Sequence, residues 1–430
     1  MKRNVLFLLL AALLLSAPPA QAQLFKKIFG GKEQKNTQKR RPQPAKPAAP
    51  KDNPKATKPE PFRYPPSELK VRYRVDVLAP LYLDELVKDG KPVHKKGIPD
   101  KAEPGIAFYE GLRLAADSLT QRGYRLDVYI HDITGEGQSP ETLVASGALD
   151  TTDLIIGLVM SEHLPALAGF AKEKEINFIS ALSPADAGIT NNPYFTLLQP
   201  SLRSHCNFLL QRIKQAQGQS KNKALFYHRA ANPTDAFAWQ LMTADSVVRF
   251  AEVKADKLPP AEQLFLLLDS TQVNIIAMPV IDAAYAHRLV EQLMTAFPGY
   301  AFEIYGMPSW KGSELLKMQD STASLVFHIT EPFYYDPTAS QHLLNSYRKT
   351  FSGRITDMTF RGFETLFYYA QLLQRYGNRF NEHTTDRGLG IYTPFNIRLE
   401  YGKDLKPLYN ENQFLYLMRY QNGNMQVEVK

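Results

Sequence analysis

The chemistry this chain offers lies in hydrogen-bonding side chains on loops. In LIIGLVMSEHLPALAGFA, residues 154–171, an apolar strand over 154–158 runs into a helix whose apolar positions are Leu164, Leu167, Ala168 and Ala171. A helix that begins there leaves unpaired N–H groups in its first turn, and such a turn often faces a crevice. Ser161 is a residue type suited to cap it. Glu162 sets a carboxylate against the positive helix end, a contact worth about 0.3–1 kcal/mol. Catalytic patterns are missing. The nine histidines, at 94, 131, 163, 205, 228, 287, 328, 342 and 383, form no H-E-x-x-H motif. Nor does the chain contain G-x-S-x-G, a P-loop or G-x-G-x-x-G. Cys206 is the single cysteine, so it has no partner for an intramolecular disulfide or a zinc-finger pair. Its apolar setting reads as a buried, inert thiol. These absences point away from an enzyme, a bound metal and a cofactor.

The elements that must position these residues alternate between strand and helix. A strand over 72–79 precedes a helix over 105–122, whose stripe is Phe108, Leu112, Ala115 and Leu119 and which Gly123 closes. Strands follow at 125–131, 154–158 and 177–182, with helices near 139–149 and over 162–174 between them. The rhythm then restarts: a helix over 202–216, a strand at 223–228, a helix at 234–248, a strand at 273–279, a helix at 283–297, and strands at 301–306 and 324–330. Two consecutive βα sets of similar size predict an α/β protein of two lobes, each a mostly parallel doubly wound sheet. A helix near 338–351 and a strong one over 361–376 come next. The latter's stripe is Phe363, Leu366, Phe367, Ala370, Leu373 and Tyr376. The stretch 391–430 is mostly strand-like.

The first 22 residues fall outside this pattern. Lys2 and Arg3 precede the apolar run Val5–Leu15, and Ala20-Gln21-Ala22 supplies a cleavage site. That is a Sec-type signal peptide, too short to span a bilayer, and it predicts a periplasmic or extracellular chain starting at Gln23. Residues 23–69 read as a basic, Pro-rich disordered tether. The net charge of +8 is concentrated there: residues 24–66 carry +9, whereas 67–430 carry −3. The tether is suited to anionic wall polymer or lipid headgroups, or simply to act as a solvated spacer. Nucleic acid is not an expected partner, because the folded part is not basic. No segment of the mature chain is long and apolar enough for a transmembrane span.

Five segments in order resemble the type I periplasmic binding proteins of the branched-chain amino acid receptor kind, over about residues 70–430. DLIIGLVMSEHLPALAGFAKEKEINFISALSPA is similar to the family's strand, Ser-bearing loop and following helix and strand. NNPYFTLLQPS resembles its first crossover between lobes. VNIIAMPV and FEIYGMPSW resemble its second-lobe core, and FRGFETLFYYAQLLQRYG resembles the helix that returns to the first lobe. Within the family the chain is most similar to envelope proteins whose relatives carry LysM modules, though no such module is evident. The resemblance implies two lobes joined by three crossovers, with a ligand in the cleft between them. It places lobe one at 70–196 plus 331–378 and lobe two at 197–330 plus 379–430. Ser161 and Ser183 match the family's ligand-binding hydroxyl positions. For Ser183 a turn before Pro184 explains the residue equally well.

Three departures qualify that picture. Glu162 would repel a ligand carboxylate seated on the N–H groups near Ser161. Pro308, Ser309 and Trp310 stand where amino acid receptors carry an acid for the ligand's ammonium group. Asn232-Pro233-Thr234-Asp235 replaces the family's Tyr-Gly. Asp235 or Asp282 could substitute for the missing acid, or cap their helices. Trp310 and Phe333-Tyr334-Tyr335 are expected near the cleft rim or hinge, able to stack on a ring or to serve as core. Two functions follow. One is an extracytoplasmic, ABC transporter-like solute receptor with a small polar ligand in the cleft. The other is an envelope module that binds a protein or peptidoglycan, its solute pocket lost; some periplasmic proteins of this fold activate peptidoglycan synthases.

Overall fold

The computed structural model describes residues 62–94, 97–218, 223–244, 246, 248–318, 324–336, 338–386, 388–389 and 392–429. The signal peptide and most of the predicted tether lie outside them. In the first lobe the strands are β1 (Tyr73–Ala79), β4 (Leu126–Asp132), β5 (Leu154–Gly157), β6 (Asn177–Ser180) and β7 (Phe195–Leu197); a short hairpin, β2 (Val87–Lys88) and β3 (Lys91–Pro92), lies outside the main sheet. The second lobe holds β8 (Ala224–His228), β9 (Phe250–Lys254), β10 (Val273–Ala277), β11 (Ala301–Gly306) and β12 (Leu325–Glu331). Four tail strands follow: β13 (Ile397–Tyr401), β14 (Pro407–Asn412), β15 (Tyr416–Gln421) and β16 (Asn424–Val429).

They build two seven-stranded sheets, in the orders β13-β14-β7-β6-β5-β1-β4 and β16-β15-β12-β11-β10-β8-β9. The pairs from β4 through β14 in the first sheet and from β9 through β12 in the second are parallel; only the tail strands β13, β15 and β16 pair antiparallel. The chain passes between the sheets at 198–201, at 332–340 and at 413–415, which gives the three expected crossovers.

The tail does not divide as expected. The resemblance places residues 379–430 in the second lobe, yet β13 and β14 complete the first sheet, and only β15 and β16 of the tail join the second. The reason is pairing: Asn410 and Glu411 lie beside Thr196 and Leu197, whereas Tyr416–Tyr420 run antiparallel to β12. The crossovers are stitched together there. The Glu411 carboxylate accepts from Ser201 N at 2.8 Å and from the Ser204 hydroxyl at 2.6 Å, and Asn412 donates to Leu198 O at 3.2 Å.

Helices cover both faces of each sheet. In the first lobe these are α1 (Leu83–Leu86), α2 (Glu103–Gln121), α3 (Pro140–Ala145) and α4 (Leu164–Lys174); in the second, α5 (Leu202–Gln217), α6 (Pro233–Thr243), α7 (Ala261–Phe265) and α8 (Ala283–Ala296). The last two, α9 (Gln341–Thr350) and α10 (Asp357–Tyr376), follow the second crossover. Helix α10 is buried along most of its length and packs in the first-lobe core against α2. The two backbones nearly touch. A Cβ on Gly111 would lie 1.9 Å from Thr359 O, and one on Gly362 would lie 2.0 Å from Phe108 O.

Residues 62–69, the predicted end of the tether, are ordered against the first lobe, which corrects the boundary at 69. Tyr64 donates to Pro193 O at 2.9 Å and packs edge-on against Tyr194, and Arg379 N donates to the Ser67 hydroxyl at 2.9 Å. Gly377, at φ +81°, admits this segment: a Cβ there would sit 2.3 Å from Glu68 O. The half-buried Tyr64 and main-chain pairing hold this segment in place.

Candidate functional site

On the first lobe, the loop after β5 is short. A 3-10 turn over Ser161–His163 precedes α4, and Pro165 at its start needs no acceptor for a missing N–H. Ser161 is half-buried, and its hydroxyl caps no helix. Glu162 is exposed, while its neighbour His163 contacts Glu141 at 2.9 Å. Ser183, after β6, is buried, and its hydroxyl accepts from Ala185 N at 3.2 Å, the turn role considered for it.

On the second lobe, the predicted residues are occupied with one another. Asn232 caps α6 by accepting from Thr234 N and Asp235 N. Asp235 is fully buried, 2.8 Å from the Arg229 guanidinium, which grips it with a second bond at 3.2 Å. Asp282 caps α8 by accepting from Tyr285 N at 3.0 Å and lies 3.7 Å from Arg229. Arg229 also covers the Tyr285 ring. The structure thus brings Asp235 and Asp282 together through Arg229, in an arrangement that satisfies both. Asp235, being sealed against that cation, is not available as the missing acid.

Trp310 corrects a further expectation. It is fully buried, donates to Val280 O at 2.7 Å and meets Phe327 edge-on, so it is second-lobe core rather than a rim platform. Gly306 makes room for it: a Cβ there would lie 2.1 Å from the indole. Ser309 beside it is half-buried and donates to Ile281 O at 2.7 Å.

The most unusual polar group lies where the lobes meet, and most of it was not anticipated. Glu331 ends β12, Phe333–Tyr335 form the second crossover, Arg361 and Glu364 stand on α10, and Tyr392, Thr393 and Tyr416 approach from the tail. Glu364 is buried; one carboxylate oxygen accepts from Tyr392 N at 2.8 Å and Thr393 N at 2.5 Å. Burial pushes its carboxyl up to about 7, against the pull of those N–H groups. Burial likewise raises Glu331 to about 7, although Lys311 lies 3.5 Å away. Lys311 also reaches Asp357 of α10 at 3.5 Å, so the ion group joins the lobes. Arg361 stacks 4.1 Å over the Phe333 ring and approaches Ala181 O, at the end of β6, at 3.5 Å. Tyr335 stacks on Phe360 with centroids 4.3 Å apart.

Five buried polar atoms of this group have no hydrogen-bond partner among the described residues: Glu331 Oε1, Tyr335 OH, Arg361 Nε, Glu364 Oε2 and Thr393 Oγ1. Thr393 and Tyr335 still act on the Glu364 charge, and Arg361 on Tyr335, so the group holds itself together in loose geometry rather than by close hydrogen bonds; buried polar atoms are closely paired in the great majority of cases, which marks this place out. Of this group, only Tyr335 and its aromatic neighbours carried a signal in the sequence. Glu364 and Arg361 sit within an apolar helical stripe, where a charged residue one turn from another is an easily overlooked mark.

Among the described residues no cluster of His, Cys, Asp and Glu could hold a metal ion, and no helix is long and apolar enough to cross a membrane. Burial pushes the Cys206 thiol up to about 12, in keeping with the inert role read from its surroundings.

No family model and no curated protein matches this chain. Solved structures do. One is a protein assigned to branched-chain amino acid ABC transport in Rhodospirillum rubrum, 11% identical, with a TM-score of 0.61 over 84% of this chain and 100% of its own. Another is an ABC transporter substrate-binding protein of Desulfitobacterium hafniense, 13% identical, with a TM-score of 0.52 over 83% and 99%. Full-length LpoA of Haemophilus influenzae is 13% identical, with a TM-score of 0.52 over 85% of this chain and 60% of its own. The chain therefore has the two-lobed type I periplasmic-binding-protein fold.

Proposed function

We propose that this chain is a non-catalytic extracytoplasmic binding protein that takes a small polar ligand between its two lobes. The observation that carries the reading is the buried polar group at the lobe junction, five atoms of which make no close hydrogen bond to another described residue. Elements of both lobes contribute them, and a ligand that pairs them would favour the closed arrangement of the lobes. The similar folds of transport proteins agree with it, and the signal-like residues 1–22 agree with export. Ser161, whose hydroxyl caps nothing, is the predicted first-lobe residue best suited to join such a site. Thermal melting against amino acids, sugars and muropeptides tests the proposal. A ligand should raise the midpoint, since it binds only the folded chain; a flat response to all three classes overturns it.

The second reading is an envelope module that binds a protein partner or peptidoglycan. It is favoured by the self-satisfied Arg229–Asp235–Asp282 group, which leaves the second lobe's strand ends with little to offer a solute. The basic residues 24–66 would add contact with an anionic wall. Sedimentation with purified peptidoglycan checks this: binding should weaken with salt, as exposed charges are screened over about 8 Å at physiological ionic strength.

A further inference from the structure

Strand β9 is a free edge of the second sheet. Its neighbour β8 takes one set of its alternating main-chain groups: Ala224 N donates to Arg249 O at 2.9 Å, and Ala255 N donates to His228 O at 2.8 Å. Alternation then turns the N–H and C=O groups of Phe250, Glu252 and Lys254 away from the sheet. Such a row is a template for another strand. The segment that leaves β9 adds an apolar surface. Beyond Pro259 and Pro260, Leu264 of α7 is buried in the core that also holds Val253, whereas the next three residues, Phe265, Leu266 and Leu267, are all exposed, Leu266 by 84%. Leu258, ahead of the prolines, is exposed as well. Exposed apolar residues grouped in this way mark an interaction surface.

We propose that a second copy of this chain docks there, the two β9 strands pairing antiparallel about a two-fold axis at Val253. The sequence of the strand, Phe250-Ala251-Glu252-Val253-Lys254, selects that register. An outward residue must lie opposite an outward residue, so Glu252 can face Glu252, Lys254 can face Lys254, or Glu252 can face Lys254. The first two set like charges across the pair, which is destabilising. The third sets opposite charges together twice, once on each side of the axis, and it is the one centred on Val253. Both side chains are exposed and open to a partner. Lys254 has no ion-pair partner among the described residues, and Glu252 gives one carboxylate oxygen to His228 Nε2 at 2.9 Å and keeps the other. A two-fold contact needs a surface that complements itself, and this edge does. Strand pairing alone is a small contact, so the exposed Phe265, Leu266 and Leu267 supply the apolar part of the interface.

Sedimentation velocity of the chain from residue 23 to its end, across the micromolar range, tests the proposal. The parent chain should show a monomer–dimer equilibrium. Lys254→Glu sets acid against acid at both contacts, and Glu252→Lys sets lysine against lysine, so each should weaken the dimer by about tenfold or more. Mixed in equal amounts, the two variants should associate again, because each then meets the opposite charge at both contacts. A variant damaged in its fold would not be rescued in this way. Leu266→Asp should also weaken the dimer by about tenfold or more. All three side chains are exposed, so circular dichroism of the variants should match that of the parent. A parent chain that stays monomeric throughout overturns the proposal. So does a dimer that all three variants leave intact, since it would use another face. Charge variants that lose the dimer and fail to recover it on mixing overturn the register, and the proposal with it.

Discussion

Glu364 is the residue whose environment makes the sharpest prediction. Its carboxyl is raised from the usual range to about 7 in the folded chain by burial. For an acid with a raised folded value, the stabilising proton is held fully below the unfolded value, near 4.3, and released as pH rises through about 7. Over that window the folded chain binds more protons than the unfolded one, so this residue lowers stability by up to about 3 kcal/mol between pH 5 and pH 8. Glu364→Gln removes the titration and keeps the acceptor. Its midpoint should exceed that of the parent chain at pH 8, and the difference should shrink towards pH 5, as read by melting at both pH values. Trp310 argues the opposite case, a residue open to either a ligand or the core that serves packing. Trp310→Ala should cost about 3–5 kcal/mol in urea unfolding, with no specific effect on ligand response at a temperature where the variant stays folded. Its type left a stacking platform and a core residue both open; the pairing of its indole with Val280 O, a contact 30 residues away, decides for the core.

At the scale of elements, apolar periodicity was enough to find both sheets and nearly every helix that covers them. It fell short where an element is held by something other than a stripe. Strand β9, Phe250–Lys254, went unnoticed because it is an edge strand with only Val253 buried. Helix α10 begins at Asp357, four residues ahead of the expected 361, because the Thr359 hydroxyl accepts from Thr356 N at 3.2 Å and closes the first turn before the stripe starts. Those extra residues carry Asp357, which meets Lys311, so the missed turn also hid the ion group between lobes. The closeness of α2 and α10 was invisible too: nothing local in the sequence marks Gly111 and Gly362, yet each admits the other helix's main chain. Gly111→Ala or Gly362→Ala must push backbone against backbone. Each should lower the unfolding free energy by about 1–3 kcal/mol or more, the range for overpacking, while Gly169→Ala, which has open space around its Cβ, should not destabilise the chain. Chemical denaturation of the three variants side by side checks this.

At the scale of the whole molecule, the two-lobed arrangement was legible in the restart of the βα rhythm, but the crossing points of the tail were not, since strand pairing between residues 214 apart leaves no local mark. What joins the lobes electrostatically is Lys311, from the loop after β11, shared between Glu331 of its own lobe and Asp357 of the other. Its two partners differ in environment, and that difference decides the energetics. The Asp357 side chain is 69% exposed, so water screens its pairing and Asp357→Asn should change stability by no more than about 1 kcal/mol. Glu331 is 6% exposed and keeps an unpaired oxygen even with Lys311 in place. Removing the lysine leaves a buried carboxylate without its cation, a loss of about 3–5 kcal/mol. Glu331 has a way out through protonation, because burial already raises its carboxyl to about 7 and loss of Lys311 would raise it further. Lys311→Ala should therefore be strongly destabilising at pH 8 and much less so at pH 5, whereas Asp357→Asn should be mild at both. Urea unfolding of the two variants at the two pH values reads the result; equal losses for Lys311→Ala at pH 5 and pH 8 would show that the lysine acts through packing rather than charge.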